Sequence, residues 1–382
     1  MGRLTTFGQS KQLAGDFGLG WMQVSQVRLQ NYRNVPLVDL SFGGLTQFFV
    51  GQNAQGKTNL LESIGLLSAL RSFRTHDTGT LLMHGKSEAK LGFDLVDEEM
   101  GETEVWITLR RKGKEVEVDG EKVTRFRDFI GRFPVVVLSS QDIQLLRGSP
   151  GVRRQWLNLV LSSASRSHYD QLKDFHKLLQ ERNSLLKRGA ASGEIEVFEK
   201  MLAEKSAQVR AGRRAEVAVL NQLLGEVYEI VSPNEENPEL VYKPDSDAST
   251  EDDFLESLRK NRDRDYILKS TQHGPHRDDI QIRLQSKKAR DYASEGQQRS
   301  LIISLKIAQL RYWHRASKVL PVLLADDVLG ELDQSRKTNF WRAVGSDVQV
   351  IATGTQVPEL DFRENWEVFD VTAGSFSPRA AD

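Results

Sequence analysis

Apolar and polar residues alternate over residues 24–42, on either side of Asn31-Tyr32-Arg33-Asn34, which predicts two half-buried strands joined by a turn. Thr46–Val50 reads as a short, apolar strand entering a loop that starts at Gly51, with a helix expected over residues 59–70. Strand periodicity returns at 90–95 and 105–109. Val116 and Val118 then lead into Asp119-Gly120, a pair suited to a tight hairpin, before Val123. These segments predict an antiparallel flank to the sheet.

After the apolar run 135–138 the period changes from two to 3.6. Ser149-Pro150 predicts a helix start with proline in the first turn, and amphipathic helix continues to about residue 231. A break between Gly189 and Gly193 divides it into two main helices of roughly 30 residues each, an arm of about 45 Å at the helical rise. Residues 232–253, with three prolines and many carboxylates, predict surface loop with a short strand at 240–242. A helix pattern then runs through Leu301, Leu305 and Ala308, and residues 319–325 form an apolar strand of the kind buried on both faces of a parallel sheet. The reading divides the chain into an extension at 1–21, expected to be a disordered tail or a misassigned start; a first head half at 22–130; a helical lid or arm at 131–264; and a second head half at 265–382.

Composition changes this picture little. At 382 residues the chain exceeds the size at which one core usually divides, and its 52 basic and 53 acidic residues exclude a globally cationic coat while allowing local patches. There is no cysteine, which removes disulfides, thiolate metal sites and cysteine nucleophiles. No apolar run reaches the ~20 residues that span a bilayer, so a cytoplasmic location without a membrane partner is expected.

Gly51-Gln52-Asn53-Ala54-Gln55-Gly56-Lys57-Thr58 matches the phosphate-loop pattern and precedes Asn59 at the predicted helix start. In such a loop backbone N–H groups wrap the phosphates, the lysine reaches the outer ones and the threonine hydroxyl binds Mg²⁺, so ATP and Mg²⁺ are the expected ligands. The strand 319–325 ends in Asp326-Asp327. Alternation aims the two carboxylates apart, so Asp326 is assigned to the metal and Asp327 to an attacking water. Ser294-Glu295-Gly296-Gln297 opens the later helix: Ser294 can cap it, Gln297 can complete a capping box, and Gly296 lets a phosphate approach the backbone. Lys57 and Asp327 are the catalytic residues expected from these motifs.

A phosphate loop, a Ser-x-Gly-Gln helix start and an acidic pair in this order resemble the heads of ATP-binding cassette and SMC ATPases. The resemblance implies an α/β P-loop ATPase head with an inserted, mainly helical lid/arm subdomain. It also implies an ATP-dependent homodimer in which Ser294 acts on the nucleotide of the partner copy. Five further motifs resemble the bacterial RecF family: Asn31-Tyr32-Arg33-Asn34; Arg71-Ser72-Phe73-Arg74-Thr75; Gly148-Ser149-Pro150 with Arg153-Arg154; Gly274-Pro275-His276-Arg277-Asp278-Asp279; and Asp327-Val328-Leu329-Gly330-Glu331-Leu332-Asp333. Two positions depart from that family's pattern: Ser140-Gln141-Asp142 stands in place of Pro-Glu-Asp, and Asn158 in place of an aspartate.

The resemblance places Arg33 near the adenine or ribose, Gln141 or Asp142 near the metal, Asp333 at the dimer interface, and Thr353 at the superfamily's switch position. It implies ATP-controlled clamping of DNA at gaps or single/double-strand junctions in recombinational repair, supporting RecA loading with RecR and RecO as partners. Four basic clusters are candidate DNA contacts: Arg71, Arg74 and His76; residues 110–114; Arg210, Arg213 and Arg214; and Lys287, Lys288 and Arg290. The rival readings are a transporter's nucleotide-binding subunit and a non-hydrolysing ATP-binding scaffold. The 236 positions between Thr58 and Ser294 (294 minus 58) oppose the transporter, whose head needs no such insertion.

Overall fold

The computed structural model of the chain describes residues 20–98, 101–234, 236–357 and 366–379. In chain order the first elements are β1 (Gly20–Tyr32), β2 (Val35–Ser41), β3 (Thr46–Val50), α1 (Lys57–Ala69), β4 (Glu88–Asp97), β5 (Gly101–Arg110), β6 (Gly113–Val118), β7 (Glu121–Lys122) and β8 (Val135–Ser139). The helical part follows as α2 (Gln144–Arg147), α3 (Pro150–Ala164), α4 (Arg166–Arg188), α5 (Ser192–Val231), β9 (Pro238–Lys243), α6 (Glu251–Lys260) and α7 (Arg262–Leu268). The last stretch holds β10 (Asp279–Leu284), β11 (Lys287–Lys288), α8 (Ala289–Tyr292), α9 (Glu295–Ser317), β12 (Val319–Leu320), β13 (Val322–Asp326), α10 (Gln334–Val344), β14 (Val350–Gly354), β15 (Glu367–Thr372) and β16 (Ser375–Pro378).

The central sheet has the order β16-β15-β3-β14-β13-β8, and all its pairings are parallel except that of β15 with β16. Its strands are apolar at nearly every position because both faces are covered. Successive residues go to opposite sides: Phe48, Val136, Leu323, Val350 and Ala352 join the core under α3, α5 and α9, whereas Phe49, Val135, Leu324 and Ile351 join the core under α1 and the antiparallel sheet. That second sheet runs β12-β1-β4-β5-β6-β7, with β2 also on β1, and its hairpin at Asp119-Gly120 has the positive φ values of 52° and 76° that a primed turn requires.

Three boundaries differ from the sequence reading. Gly20 and Trp21, assigned to the extension, are the first residues of β1 and pair in parallel with Val319 and Leu320; residues 1–19 lie outside the described residues. Residues 135–139, assigned to the helical insertion, form the edge strand β8 of the central sheet, where an apolar run without alternation reports two-sided burial. Helix α1 starts at Lys57, two residues early, because Gly56 with φ 116° is the last residue to leave helical geometry.

The two long helices also divide the labour unequally. Helix α4 has 23 residues and α5 has 40, about 35 and 60 Å at the helical rise. Leu202, Ala203 and Val209 of α5 pack with Leu172, Phe175 and Leu179 of α4 in the arm, while Val217, Leu220, Leu224 and Val231 of the same helix belong to the head core. Gly212 permits the crossing, since a Cβ there would stand 3.1 Å from His168 Nδ1.

Below that crossing lies an ionic network centred on the buried Asp278, Arg210 and Arg213. The Asp278 carboxylate accepts from Arg210 Nε at 3.2 Å and Nη2 at 2.6 Å, from the Asp245 N–H at 2.9 Å and from the Tyr242 hydroxyl. Arg213 donates to the Pro275 carbonyl at 2.6 Å and to Asn158 Oδ1 at 2.8 Å, so the amide at 158 serves as an acceptor where the family pattern has a carboxylate. Arg210 and Arg213 are each 1% exposed, which removes them from the candidate DNA contacts and makes them the pins between arm and head.

Burial holds the imidazoles of His168 and His276, both beside this network, down at about 4. His276 Nε2 is 3.0 Å from the Thr271 carbonyl, so it fixes the Gly274-Pro275 loop. Between an unfolded value near 6.5 and the folded value, the unfolded chain binds protons that the folded chain refuses, so stability rises with pH across that window and is lost on acidification. Denaturant midpoints are expected to fall from pH 7 to pH 4.5, and the slope to flatten in the His168→Phe, His276→Gln double variant. An unchanged slope in that variant would assign the acid sensitivity to other groups.

Candidate nucleotide site and signature face

The loop between β3 and α1 is shaped by its backbone. Gly51 lies against the Val371 carbonyl with no room for a side chain, its N–H donates to the Gly354 carbonyl at 3.3 Å, and Ala54 and Gly56 take positive φ of 65° and 116°. Lys57, 5% exposed, donates from Nζ to the carbonyls of Gly51 at 2.5 Å and Gln52 at 2.9 Å, which holds the ammonium across the loop. Burial lowers the Lys57 ammonium, opposed by the fields of Asp327 and then Asp326.

Parallel pairing of β13 between β8 and β14 puts Asp326 level with Ser139 and Thr353. Asp326 Oδ1 accepts from Thr58 Oγ1 at 2.9 Å and from Thr353 Oγ1 at 3.0 Å. Burial raises the Asp326 carboxyl, and those two hydroxyls oppose the rise. Thr353 Oγ1 also accepts the Asp327 N–H at 2.9 Å, with Asp327 in the left-handed region at φ 55°. Thr353 is therefore a linchpin of the acidic pair, satisfied at the strand end and touching both residues. Hard oxygen donors, one of them a buried carboxylate, suit Mg²⁺, so Thr58 and Asp326 fit the metal expected between them.

Other expected site residues are engaged elsewhere. Arg33 forms a bidentate pair with Glu62, Nε–Oε2 at 2.8 Å and Nη2–Oε1 at 2.6 Å. Arg74, expected among the DNA contacts, sits 3.6 Å from Glu62 and donates to Asn59 Oδ1 at 2.8 Å, while Asn59 Nδ2 donates to Asn34 at 2.7 Å. The fully buried Glu62 thus organises the rim of the phosphate loop. Sequence reasoning missed it, although a carboxylate inside Leu60-Leu61-Glu62-Ser63-Ile64 was the available signal, since a buried charge needs partners. Asp142 accepts the Ser139 N–H at 2.7 Å and pairs with Lys306 of α9 at 3.2 Å, while Ser140 and Gln141 of the same turn are exposed.

Ser294, Gly296, Gln297 and Asp333 form a second cluster. Ser294 and Gln297 make the expected capping box, Gln297 N–H to Ser294 Oγ at 3.2 Å and Ser294 N–H to Gln297 Oε1 at 2.7 Å. Gln297 Nε2 donates to Glu236 at 2.6 Å, Arg147 donates to Gln298 at 2.8 Å, and Asp333 caps α10 by accepting the Arg336 N–H at 2.9 Å. Among the described residues no hydrogen bond or ion pair joins residues 294–297 to the phosphate loop.

Among the basic clusters, Arg110 is neutralised by Glu88 and Glu115, and Lys114 donates to the Leu70 carbonyl. Lys287 lies 5.4 Å from the Tyr292 ring centroid and Arg290 3.9 Å from Asp291, while Arg71 is exposed. No helix among the described residues is long and apolar enough to cross a membrane.

No protein-family model matches the chain. The DNA replication and repair protein RecF of Geobacter sp. (strain M21) is 33% identical over 350 residues, 90% of this chain and 96% of the relative. That of Geotalea daltonii is 31% identical over 362 residues, 92% of this chain and 99% of the relative. A solved structure of the recombination mediator protein RecF-ATP in the RecFOR pathway superposes with a TM-score of 0.87 at 26% identity, covering 97% of this chain and 100% of that one. An Smc head domain from Pyrococcus furiosus shares the fold alone, with a TM-score of 0.53 at 13% identity. The chain belongs to the family of the DNA replication and repair protein RecF.

Proposed function

We propose that the chain is an ATP-hydrolysing clamp of recombinational repair: two copies close head to head over two ATP molecules, grip DNA at gaps or single/double-strand junctions, and release it on hydrolysis. The observation that carries this reading is the division of the site into two half-sites on one chain. The phosphate loop with Thr58, Asp326 and Thr353 forms one, and the capped start of α9 with Asp333 forms the other, with no bond between them among the described residues. A helix N-terminus with two residues of capping chemistry and a bare glycine suits a phosphate, and symmetry lets each copy offer it to the other's nucleotide. The RecFOR pathway named for the solved relatives supports RecO and RecR as partners, and RecA loading is the outcome implied by the resemblance.

Mg²⁺ held by Thr58 and Asp326, with Gln141 beside them, would neutralise charge on the phosphates. The chain's own groups do the rest: Lys57 binds the outer phosphates, Asp327 orients the attacking water and Ser294 meets the terminal phosphate from the partner copy.

DNA contact is assigned to exposed cations of the arm and head that have no carboxylate partner among the described residues. On α4, Lys173, His176 and Lys177 are exposed at helical spacing, with Asp170, Asp174 and Glu181 one turn from the lysines. Burial, then the fields of Arg213 and Arg71, lower the His176 imidazole, so the charge of this stretch comes from Lys173 and Lys177. Arg71 and Arg277 are exposed and have no carboxylate partner among the described residues. Such a surface binds phosphates irrespective of sequence and is sensitive to salt.

The experiment is sedimentation and DNA binding with and without ATP. Wild type is expected to dimerise and bind DNA only with ATP, and Lys57→Met and Ser294→Arg to do neither. Arg71→Glu with Lys177→Glu should dimerise normally yet bind DNA with a salt slope smaller by about two. A wild type that stays monomeric with ATP and ignores DNA at low salt would leave only a nucleotide-binding head.

A further inference from the structure

Three arginines surround the start of α9, each within 4.0 Å of a carboxylate. Arg147 lies 3.8 Å from Glu295, and Arg299 lies 3.2 Å from Glu331. Arg336 differs in its place, over Gly296. It stands in the first turn of α10, where Asp333 accepts its N–H, and its Nη1 is 3.1 Å from Asp333 Oδ2. The guanidinium folds over the signature glycine: a Cβ at Gly296 would meet its terminal nitrogens and stand 3.1 Å from Cζ. The side chain is 35% exposed, and Asp333 is its one ion-pair partner among the described residues.

We propose that Arg336 is a phosphate-facing cation of the composite site and acts in trans, its guanidinium meeting the terminal phosphate of the nucleotide held by the second copy. The inference rests on the head-to-head reading above. Ser294 and the N–H groups of α9 are neutral donors, with a helix dipole worth about half a charge. A planar guanidinium adds a full charge and paired donors matched to phosphate oxygens. It is poised over the one residue whose bare backbone admits that phosphate. Asp333 then has a defined task, as a positioning residue: it caps α10, aims Arg336 at Gly296, and neutralises it until a stronger anion arrives. The Asp333 carboxyl is held below its usual range by the N–H of Arg336 and the hydroxyl of Ser335, so it stays ionised for this role.

The test uses the full chain and measures steady-state ATP hydrolysis together with ATP binding. Arg336→Ala is expected to bind ATP as wild type does and to lose roughly 10- to 100-fold in kcat, with partial recovery in Arg336→Lys. Mixing then separates trans from cis action. Arg336→Ala mixed with Asp327→Asn, which keeps ATP binding and dimerisation, should regain up to about a quarter of the wild-type rate per chain, because a mixed dimer holds one complete site. A misfolded subunit would regain none, so recovery also excludes a merely structural effect. An Arg336→Ala rate equal to wild type overturns the proposal. So does recovery when Ser294→Arg is mixed with Asp327→Asn but not when Arg336→Ala is, which would put Arg336 in cis and leave the sandwich intact. If neither mixture recovers, the head-to-head reading falls and the trans role falls with it.

Discussion

Replacing Asp278 by alanine is expected to destabilise the fold by roughly 3–5 kcal/mol, the cost typical of removing one partner from a buried ionic cluster. Asp278 is fully buried and faces Arg210 at 2.6 Å and Arg213 at 4.0 Å, while Tyr242 and the Asp245 N–H also donate to it. Its removal would leave Asp245, at 2.7 Å, as the one carboxylate facing Arg210 among the described residues, beside the Ser246 and Ala248 carbonyls, and would take the acceptor from the Tyr242 hydroxyl and the Asp245 N–H. Neither guanidinium can shed its proton at accessible pH. Arg210→Met with Asp278→Leu, which removes both charges, should cost far less than Asp278→Ala. Urea unfolding followed by circular dichroism gives both numbers. If the single and double variants unfold at the same midpoint, the network is not what joins arm to head. The same change should also loosen the loop that Arg154 holds through the Asp278 carbonyl at 2.6 Å.

The second large effect concerns chemistry. Asp327→Asn is expected to lower ATP hydrolysis by about 10²–10⁴-fold while leaving ATP binding and ATP-driven dimerisation intact, because an amide cannot take the proton of an attacking water. Asp326→Asn should instead weaken metal-dependent nucleotide binding, since Asp326 is the carboxylate in contact with Thr58. Single-turnover hydrolysis with radiolabelled ATP, alongside nucleotide titrations, distinguishes the two. Equal rates for wild type and Asp327→Asn would return the water-orienting role to another group and revive the scaffold reading.

What can be read from the chain alone follows a physical divide. Strands buried on both faces and the loops they enter are legible, because an apolar run that ends abruptly in Gly51 or in Asp326-Asp327 suits a covered sheet strand meeting a polar crevice and little else. The capping box of Ser294 and Gln297 is legible because it is a contact between residues three apart. Contacts distant in sequence are not. Arg210 and Arg213 look like a solvated basic cluster because their partners, Asp245, Pro275 and Asp278, lie 35 to 68 positions away. Arg33 and Arg74 read as residues with separate partners because nothing local shows that Glu62 lies between them. Helix lengths are hidden where one helix serves two cores: the apolar stripe of α5 continues through Val209 to Val217 while its neighbours change from arm to head.

That shared helix has a mechanical meaning. Since α5 runs unbroken from Ser192 to Val231, with one half clamped in the head and the other forming the spine of the arm, it behaves as a lever of about 60 Å with its fulcrum at the Gly212 crossing. Rotation of the head half by a single degree sweeps the far end through about half an ångström, since roughly half the lever lies beyond the fulcrum. A few degrees of tilt between the two lobes would therefore reach the arm tip as a displacement comparable to an atomic diameter, with the Arg210 and Arg213 pins acting as the bearing that keeps the rod from twisting in its seat.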